Sequence, residues 1–237
     1  MRPEICYECY DCQYDSVCNK STIQPVYLLV NTGVSLRCGN CRFLTMELVI
    51  ASNNKGKIRE IREMLQQVQL LSLQDIGFTE DTPEPWHTFE ENAHAKAKAV
   101  YDFCGKSVFA DDSGICVPHL GGAPGVDSAH YSGSRDDEAN LQHLLHNMNG
   151  VADRAAYYKA VICLIWNGEV HYFEGICEGT LLEHKRGTGG FGYDPVFVPS
   201  GYELTFAELS PEIKNMISHR GKAVRKMVEF INERING

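Results

Sequence analysis

Several features that would place a protein in a broad class at once are missing from this 237-residue sequence. No apolar run approaches the roughly 20 residues needed to cross a bilayer, and the apolar candidate near the N-terminus runs only from Val26 to Val30. The N-terminus also lacks the basic start and the apolar core of about 7–15 residues that are typical of a signal peptide. We therefore expect a cytoplasmic protein with no membrane partner.

An excess of basic residues is missing too. The chain has 22 Lys and Arg against 31 Asp and Glu, which gives a net charge of −9. This balance argues against broad electrostatic binding to nucleic acid, although it leaves room for a local basic pocket. With 43% hydrophobic residues the chain can bury a substantial core, and its length fits one α/β domain or two small ones.

Cysteines are present but unevenly distributed. Six of the ten fall in the first 41 residues, and the pairs Cys9-x-x-Cys12 and Cys38-x-x-Cys41 have the local spacing of zinc-ribbon knuckles. The segment between these pairs has little of the Gly and Pro punctuation of a ribbon, and Cys6 and Cys18 are left over. Two hypotheses stay open for residues 1–45: a Cys-rich, poorly ordered extension, or a zinc-binding attachment.

The composition changes at Met46, so we predict that the main domain spans residues 46–237. A strand is predicted over Glu47–Ser52 and a helix over Lys55–Val68, where apolar residues recur at helical spacing. Between them, "SNNKGK" (Ser52 to Lys57) brings backbone N–H groups and lysines to a helix start, which is an arrangement that binds phosphate. No Walker sequence is present, and a solvated polar loop is the alternative.

Adjacent carboxylates occur in "FADDSG", Phe109 to Gly114. They follow an apolar run that predicts a buried strand, where an isolated charge is costly. Asp111 and Asp112 therefore either mark a solvated strand end or hold something positive. Upstream, Thr88 and Glu91 have the spacing of a helix-capping box, and Lys96 lies on the helix that follows.

The second half of the domain adds a predicted hairpin and two candidate ligand-binding segments. Strands over 155–168 and 169–182 meet at Asn167-Gly168, a strong hairpin signal. In "RGTGGFGYDPVFVP" (186–199), glycines surround aromatic residues and Asp194, which suits either a purine pocket or a hairpin whose aromatics belong to the core. The final helix carries a basic cluster, which is usually a solvated face.

Six motifs in order, "SNNKGK", "TFEENAHAKA", "ADDSG", "LGGAPGVDSAHYSG", "GTGGFGYDP" and "SHRGKA", make the chain resemble the inosine triphosphate pyrophosphatase family, also called Ham1-like. The resemblance covers Met46 to the C-terminus. It implies an α/β fold with an elongated, long mixed sheet flanked by helices and two lobes with a central cleft. It also implies a homodimer that uses Mg²⁺ to hydrolyse noncanonical purine nucleoside triphosphates (ITP, dITP, XTP) to the monophosphate and pyrophosphate.

The resemblance also implies a role for each matching position. Asp112 is expected to be the general base and, with Glu84, to bind Mg²⁺, while Asp111 supports the site. Residues expected to contact substrate are Ser52, Asn53, Asn54, Lys55, Gly56, Lys57, Lys96, Ser113, Phe191, Gly192, Tyr193, Asp194, Lys214, His219 and Arg220. Among them, Arg220 is expected to donate to the O6 atom of the base and so to disfavour adenine.

Two functions of other classes remain open at this point. A nucleotide-binding regulator without turnover would keep the phosphate turn and base pocket but would not need Asp112 as a base. A zinc-dependent interaction protein would act through the Cys-rich extension. The Maf-type pyrophosphatases share the chemistry, but the last two motifs disfavour them.

Overall fold

The computed structural model describes residues 46–65, 68–80 and 86–236. The predictions for residues 1–45, including zinc binding, and for Glu84 lie outside these residues. The described part contains five α-helices: α1 (Lys55–Met64), α2 (Phe89–Cys104), α3 (Asp137–Asn147), α4 (Pro211–Ile217) and α5 (His219–Asn236). None of the helices in the described ranges is long and apolar enough to cross a membrane.

Six strands form one mixed sheet: β1 (Glu47–Ile50), β2 (Gln69–Leu71), β3 (Val108–Cys116), β4 (Ala155–Trp166), β5 (Glu169–Leu181) and β6 (Phe197–Pro199). Their order is β2-β1-β3-β4-β5-β6. β1 runs parallel to β2 and β3, and the remaining neighbours are antiparallel. The predicted α/β class with a long mixed sheet and flanking helices is confirmed.

Helices cover both faces of the sheet around β1 and β3, because successive side chains of a strand point to opposite faces. Leu48, Ile50 and Phe109 pack on one face in a cluster that also holds Ile61 of α1 and Met227 of α5. On the opposite face, alternate residues of the same strands pack against α2 in a second cluster, which includes Val49, Val108, Ala110, Ala93, Ala97 and Val100. Side chains of β3 therefore alternate between the face that α1 and α5 cover and the face that α2 covers.

Two local predictions are confirmed. Asn167 and Gly168 have φ values of 50° and 89°, as a two-residue turn between β4 and β5 requires. Thr88 precedes α2, and its hydroxyl accepts a hydrogen bond from the Glu91 N–H.

Other predicted boundaries were wrong. β1 ends at Ile50 rather than Ser52, and α1 ends at Met64 rather than Val68, because Leu65 leaves the helical conformation. β3 continues through both aspartates to Cys116, so the interpretation of a solvated strand end is wrong. The charged groups around the pair explain why the strand tolerates it.

Candidate active site

The end of β1 creates an opening beside β3. Within the parallel pair, the Ala51 N–H donates to the Phe109 carbonyl at 2.8 Å. The next carbonyl of β3 on that side belongs to Asp111, and β1 has by then left the sheet. The Asp111 carbonyl instead accepts hydrogen bonds from the ammonium groups of Lys57 at 3.3 Å and Lys96 at 3.2 Å. Two lysines from helices on opposite faces of the sheet thus meet where the ladder stops.

The two aspartates point to opposite faces, as neighbours in a strand must. The Asp111 carboxylate faces α1 and α5, where Oδ2 lies 2.8 Å from Lys57 Nζ and 3.3 Å from Arg220 Nε. The Asp112 carboxylate faces α2, where Oδ1 lies 2.8 Å from Lys96 Nζ. The Ser113 hydroxyl donates to Asp111 and accepts from Arg220. The prediction that the aspartates hold positive groups is therefore correct.

The charges at Asp111 are strongly coupled. Burial alone would raise the pKa of Asp111, but Arg220 and then Lys57 outweigh it and hold that pKa well below its usual range. Burial likewise disfavours the Arg220 cation, yet Asp111 and Glu60 raise the pKa of Arg220 above its ordinary value. Both groups are therefore ionised at neutral pH.

The turn before α1 is fixed by its own polar side chains. Asn54 is the N-cap residue, and its Oδ1 accepts from the N–H groups of Gly56 at 2.9 Å and Lys57 at 3.1 Å. The Ser52 hydroxyl accepts from the Asn54 N–H. A Cβ atom on Gly56 would lie 2.9 Å from a ring carbon of Phe191, so glycine lets this turn approach the aromatic ring. The turn and the glycine-rich loop are in contact.

In the glycine-rich loop, the two aromatic residues have different environments. Tyr193 is buried in a core cluster, and its hydroxyl donates to the Ser128 carbonyl at 2.8 Å. Phe191 is half-buried in the cleft, with Lys214 Nζ 5.0 Å from its ring centroid. The loop bends back at Gly190, which has a φ of 71° and leaves room for the Asp194 carboxylate that accepts from the Phe191 N–H. The core hypothesis is therefore confirmed for Tyr193, whereas Phe191 lies in the cleft and its role in a purine pocket stays a prediction.

The basic cluster of the last helices is largely buried. Lys214, His219 and Arg220 are at most 6% exposed, so the solvated-face interpretation is wrong for them. It does fit Lys222, which is exposed and donates to the Ile176 carbonyl. The His219 ring stacks on Tyr158 with centroids 4.6 Å apart, and burial followed by Arg220 lowers the pKa of His219 well below its usual value. The imidazole is therefore neutral.

These groups surround a single cleft of about 380 Å³. The predicted residues that line it are Ser52, Asn53, Asn54, Lys57, Lys96, Asp112, Ser113, Phe191, Gly192, Tyr193, Asp194, Lys214, His219 and Arg220. Lys55 and Gly56 lie in the same turn but outside the lining, and Glu84 lies outside the described residues.

Sequence reasoning missed three charged residues at this site. Arg135 and Asp137 line the cleft, and Asp137 Oδ2 accepts from the Gly192 N–H at 3.0 Å. Glu60 lies behind the cleft and contacts both Lys214 and Arg220. Its position three residues after Lys57, on the same side of a helix, is the signal that could have identified it.

The cleft can also be tested as a metal site. Within residues 46–65, 68–80 and 86–236, no group of three His, Cys, Asp or Glu side chains is placed to hold a metal ion. In the same residues, Asp111 Oδ1 is buried with no hydrogen-bond partner. Mg²⁺ is typically held by one or two carboxylates together with substrate phosphates and water, and the carboxylates of Asp111 and Asp112 beside two lysines fit that requirement.

Comparison with known proteins gives a consistent result. The dITP/XTP pyrophosphatase of Flavobacterium psychrophilum is 49% identical over 78% of this chain and 98% of its own length. The protein of the same name from Christiangramia forsetii is 47% identical over 79% of this chain and its full length. The solved structure of the Staphylococcus aureus Ham1 protein has a TM-score of 0.73 and 38% identity over 79% of this chain and 99% of its own. Residues 48–230 match the Ham1 family, and the chain therefore belongs to the Ham1 family.

Proposed function

We propose that this chain hydrolyses the noncanonical purine nucleoside triphosphates ITP, dITP and XTP to the monophosphate and pyrophosphate, and so removes deaminated purines from the nucleotide pool. The relatives named dITP/XTP pyrophosphatase support this activity. The observation that carries it is the meeting of Lys57 and Lys96 at the Asp111 carbonyl, with the Asp112 carboxylate alongside. That arrangement combines an anion-binding group with a candidate base.

The triphosphate binds, in this proposal, at the N-terminus of α1. The N-terminus of α1 supplies a partial positive charge there, and Lys57 and Lys96 supply the cations. Both ammonium groups are held by Asp111 or Asp112 through contacts of 3.3 Å or less. Because they are already in place, little reorganisation is needed when phosphate arrives.

In the chemical step, Asp112 orients a water molecule and accepts its proton as the water oxygen attacks the α-phosphorus. The bond between that phosphorus and the α–β bridging oxygen breaks, and pyrophosphate leaves with the bonding electrons. Lys57 and Lys96 offset the charge that develops on the leaving group. Asp112 fits the role of base because its carboxylate lines the cleft and lies 2.8 Å from the ammonium group of Lys96, which is proposed to bind the phosphates.

Mg²⁺ is the proposed cofactor, with Asp112 and Glu84 as its protein ligands. When bound, the ion offsets the negative charge on the phosphates. The choice of ion rests on the hard carboxylate oxygen that Asp112 offers beside the phosphate site. Chelation with EDTA is expected to abolish pyrophosphate release, and Mg²⁺ is expected to restore it.

Base selection is proposed for the part of the cleft that is lined by the glycine-rich loop, α4 and α5. Phe191 offers a ring for stacking, and Lys214 and Arg220 lie 5.0 and 5.7 Å from its centroid. Inosine and xanthosine carry an acceptor oxygen at position 6, where adenine carries an amino donor, so these cations favour the oxo purines. Ser113, Gly192, Tyr193, Asp194 and His219 complete the proposed substrate contacts.

For its context in the cell, we propose a homodimer in the cytoplasm whose partner is a small nucleotide rather than nucleic acid or membrane. The catalytic domain is proposed to span residues 46–237, which the family match nearly fills. Light scattering coupled to gel filtration tests the dimer, and a single-chain mass at micromolar concentration would contradict it.

A substrate panel tests the proposed reaction. Pyrophosphate release is measured with ITP, dITP, XTP, ATP and GTP in the presence of Mg²⁺. Turnover of the first three at well above the rate for ATP is expected, with loss of turnover in Asp112→Asn. Nucleotide binding without any turnover would instead favour a regulator.

A further inference from the structure

Glu60 is a buried carboxylate on the helix that follows the phosphate turn. Only 8% of the residue is exposed, although the charged residues Arg59 and Glu63 of the same helix are exposed. It lies on the same side of the helix as Lys57, three residues earlier. A charge buried to this degree needs partners to offset the loss of hydration.

Its partners are two cations from two other helices. Glu60 Oε1 accepts from Lys214 Nζ of α4 at 2.7 Å, and Oε2 accepts from Arg220 of α5. Burial would raise the pKa of Glu60, but Arg220 and Lys214 outweigh it and lower that pKa. One ionised carboxylate thus uses one oxygen for each cation.

Each cation has a second acidic partner farther along. Lys214 Nζ lies 2.6 Å from Asp194 of the glycine-rich loop, and Arg220 Nε lies 3.3 Å from Asp111 of β3. Glu60 therefore stands at the centre of a chain of ion pairs that runs from the loop to the sheet. Without it, Lys214 would keep its contact with Asp194 and could rotate about that contact, and Arg220 would keep Asp111 and Ser113 but lose the partner of its Nη1.

Both cations also face the ring proposed to stack on the purine. Their orientation matters because hydrogen bonds to an oxo group are directional, and a flexible lysine is costly to fix at the moment of binding. A bridging carboxylate fixes both donors before substrate arrives.

We infer that Glu60 is a positioning residue that determines specificity for 6-oxo purines, acting through Lys214 and Arg220 rather than by touching substrate. This inference rests on the proposed function. It predicts that loss of the Glu60 charge weakens recognition at position 6 of the base more than it weakens phosphate chemistry.

The test compares ITP with purine riboside triphosphate, which carries hydrogen at position 6 and therefore also lacks the N1 proton of the oxo base. In Glu60→Gln, kcat/KM for ITP is expected to fall about 10- to 100-fold, because the neutral amide has one acceptor oxygen where the carboxylate offered one to each cation. For purine riboside triphosphate the expected fall is less than about threefold, because phosphate binding and the base Asp112 are retained.

Glu63→Gln is the matched control. Glu63 lies on the same helix and also contacts α4, accepting from Asn215 Nδ2 at 2.9 Å, but that partner is neutral. Its kcat/KM values are expected to stay within about twofold of wild type for both substrates, as for a change away from the reacting groups.

An equal fall for both substrates in Glu60→Gln, or no fall for either, would overturn the inference. If this variant does not fold, Glu60→Asp keeps the charge on a shorter side chain and must still lose ITP selectively. If wild type hydrolyses ITP and neither substitution changes the selectivity, only the role of Glu60 is contradicted. If wild type does not hydrolyse ITP, the proposed function itself is contradicted.

Discussion

Asp111 and Asp112 are chemically identical neighbours in one strand, yet their surroundings differ sharply. The Asp111 side chain is fully buried between two cations from α1 and α5. The Asp112 side chain is 8% exposed and directed into the cleft beside Lys96. The alternation of a β-strand is enough to direct one carboxylate towards Lys57 and Arg220 and the other towards Lys96 on the opposite face.

The different surroundings suggest that Asp111 contributes to the stability of the fold and Asp112 to the reaction. A carboxylate held between an arginine and a lysine keeps its charge and organises those groups, but it is poorly suited to accept a proton because its pKa is depressed. We therefore assign organisation to Asp111 and proton transfer to Asp112. Four substitutions and one pH measurement test that division and the contacts around it. They are given from the largest expected effect to the smallest.

Asp112→Asn is expected to have the largest effect on turnover. The amide cannot accept a proton from water, so kcat with ITP is expected to fall about 10³-fold, within the range for loss of a general base. Steady-state pyrophosphate release measures this. A fall of less than tenfold would remove Asp112 from the chemical step.

Asp111→Asn is expected to have the largest effect on stability. The change leaves Arg220 and Lys57 without their shared carboxylate, and breaking a buried ion pair costs about 3–5 kcal/mol. Urea unfolding measures the loss. Asp102→Asn is the control, since it breaks the exposed pair with Lys98 and should cost no more than about 1 kcal/mol. Equal losses would contradict the comparison.

The same network predicts a dependence on acid. The folded pKa of Asp111 is lowered, so its contribution to stability is complete above the unfolded value of about 3.9 and is lost as pH falls below it. Glu60, whose folded pKa is also lowered, acts in the same direction. The free energy of unfolding of wild type is expected to fall below about pH 4, and less steeply in Asp111→Asn. If the free energy of unfolding fell equally steeply with pH in both proteins, Asp111 would not be the source of the acid sensitivity.

Arg220→Lys tests recognition of the base with the charge retained. Alanine is a poor choice here because it would remove one of the two cations that each of the buried carboxylates of Glu60 and Asp111 contacts. Lysine lacks the planar fork that contacts Glu60, Asp111 and Ser113. The ratio of kcat/KM for ITP over ATP is expected to fall about tenfold, the equivalent of one lost hydrogen bond. An unchanged ratio would remove Arg220 from base selection.

Lys98→Ala should have the smallest effect. Lys98 lies on the same helix as Lys96, but its pair with Asp102 is more than half exposed. Stability is expected to change by less than about 0.5 kcal/mol, and turnover should not change. If Lys98→Ala lost as much activity as Lys96→Ala, contact with the aspartates would not explain the importance of Lys96. A positive charge anywhere on that part of α2 would then be sufficient.

Much of the fold was predictable from local patterns. The hairpin at Asn167-Gly168, the cap at Thr88 and the mixed sheet follow from turn chemistry and periodicity. The ends of β1 and α1 were not predictable, because tertiary packing decides where a strand or helix stops.

The site was predictable from motif order, but the assignment of each side chain was not. Tyr193 and Phe191 are two residues apart in the same glycine-rich loop, and only the packed structure shows that one belongs to the core and the other to the cleft. Glu60 was missed because a glutamate on an amphipathic helix is usually solvated. Its partners lie more than 150 residues away in sequence.

The point at which β1 stops has a consequence for how this site tolerates change. The acceptor that anchors both lysines is a main-chain oxygen, so no substitution at residue 111 can delete it. A longer strand could make this oxygen unavailable. If β1 stayed paired for two more residues, the N–H of residue 53 would compete with the ammonium groups for it. The position of the lysines therefore depends on where β1 stops pairing with β3. Insertions or strand-favouring changes at residues 52–54 would disturb the site more than the loss of a polar side chain there.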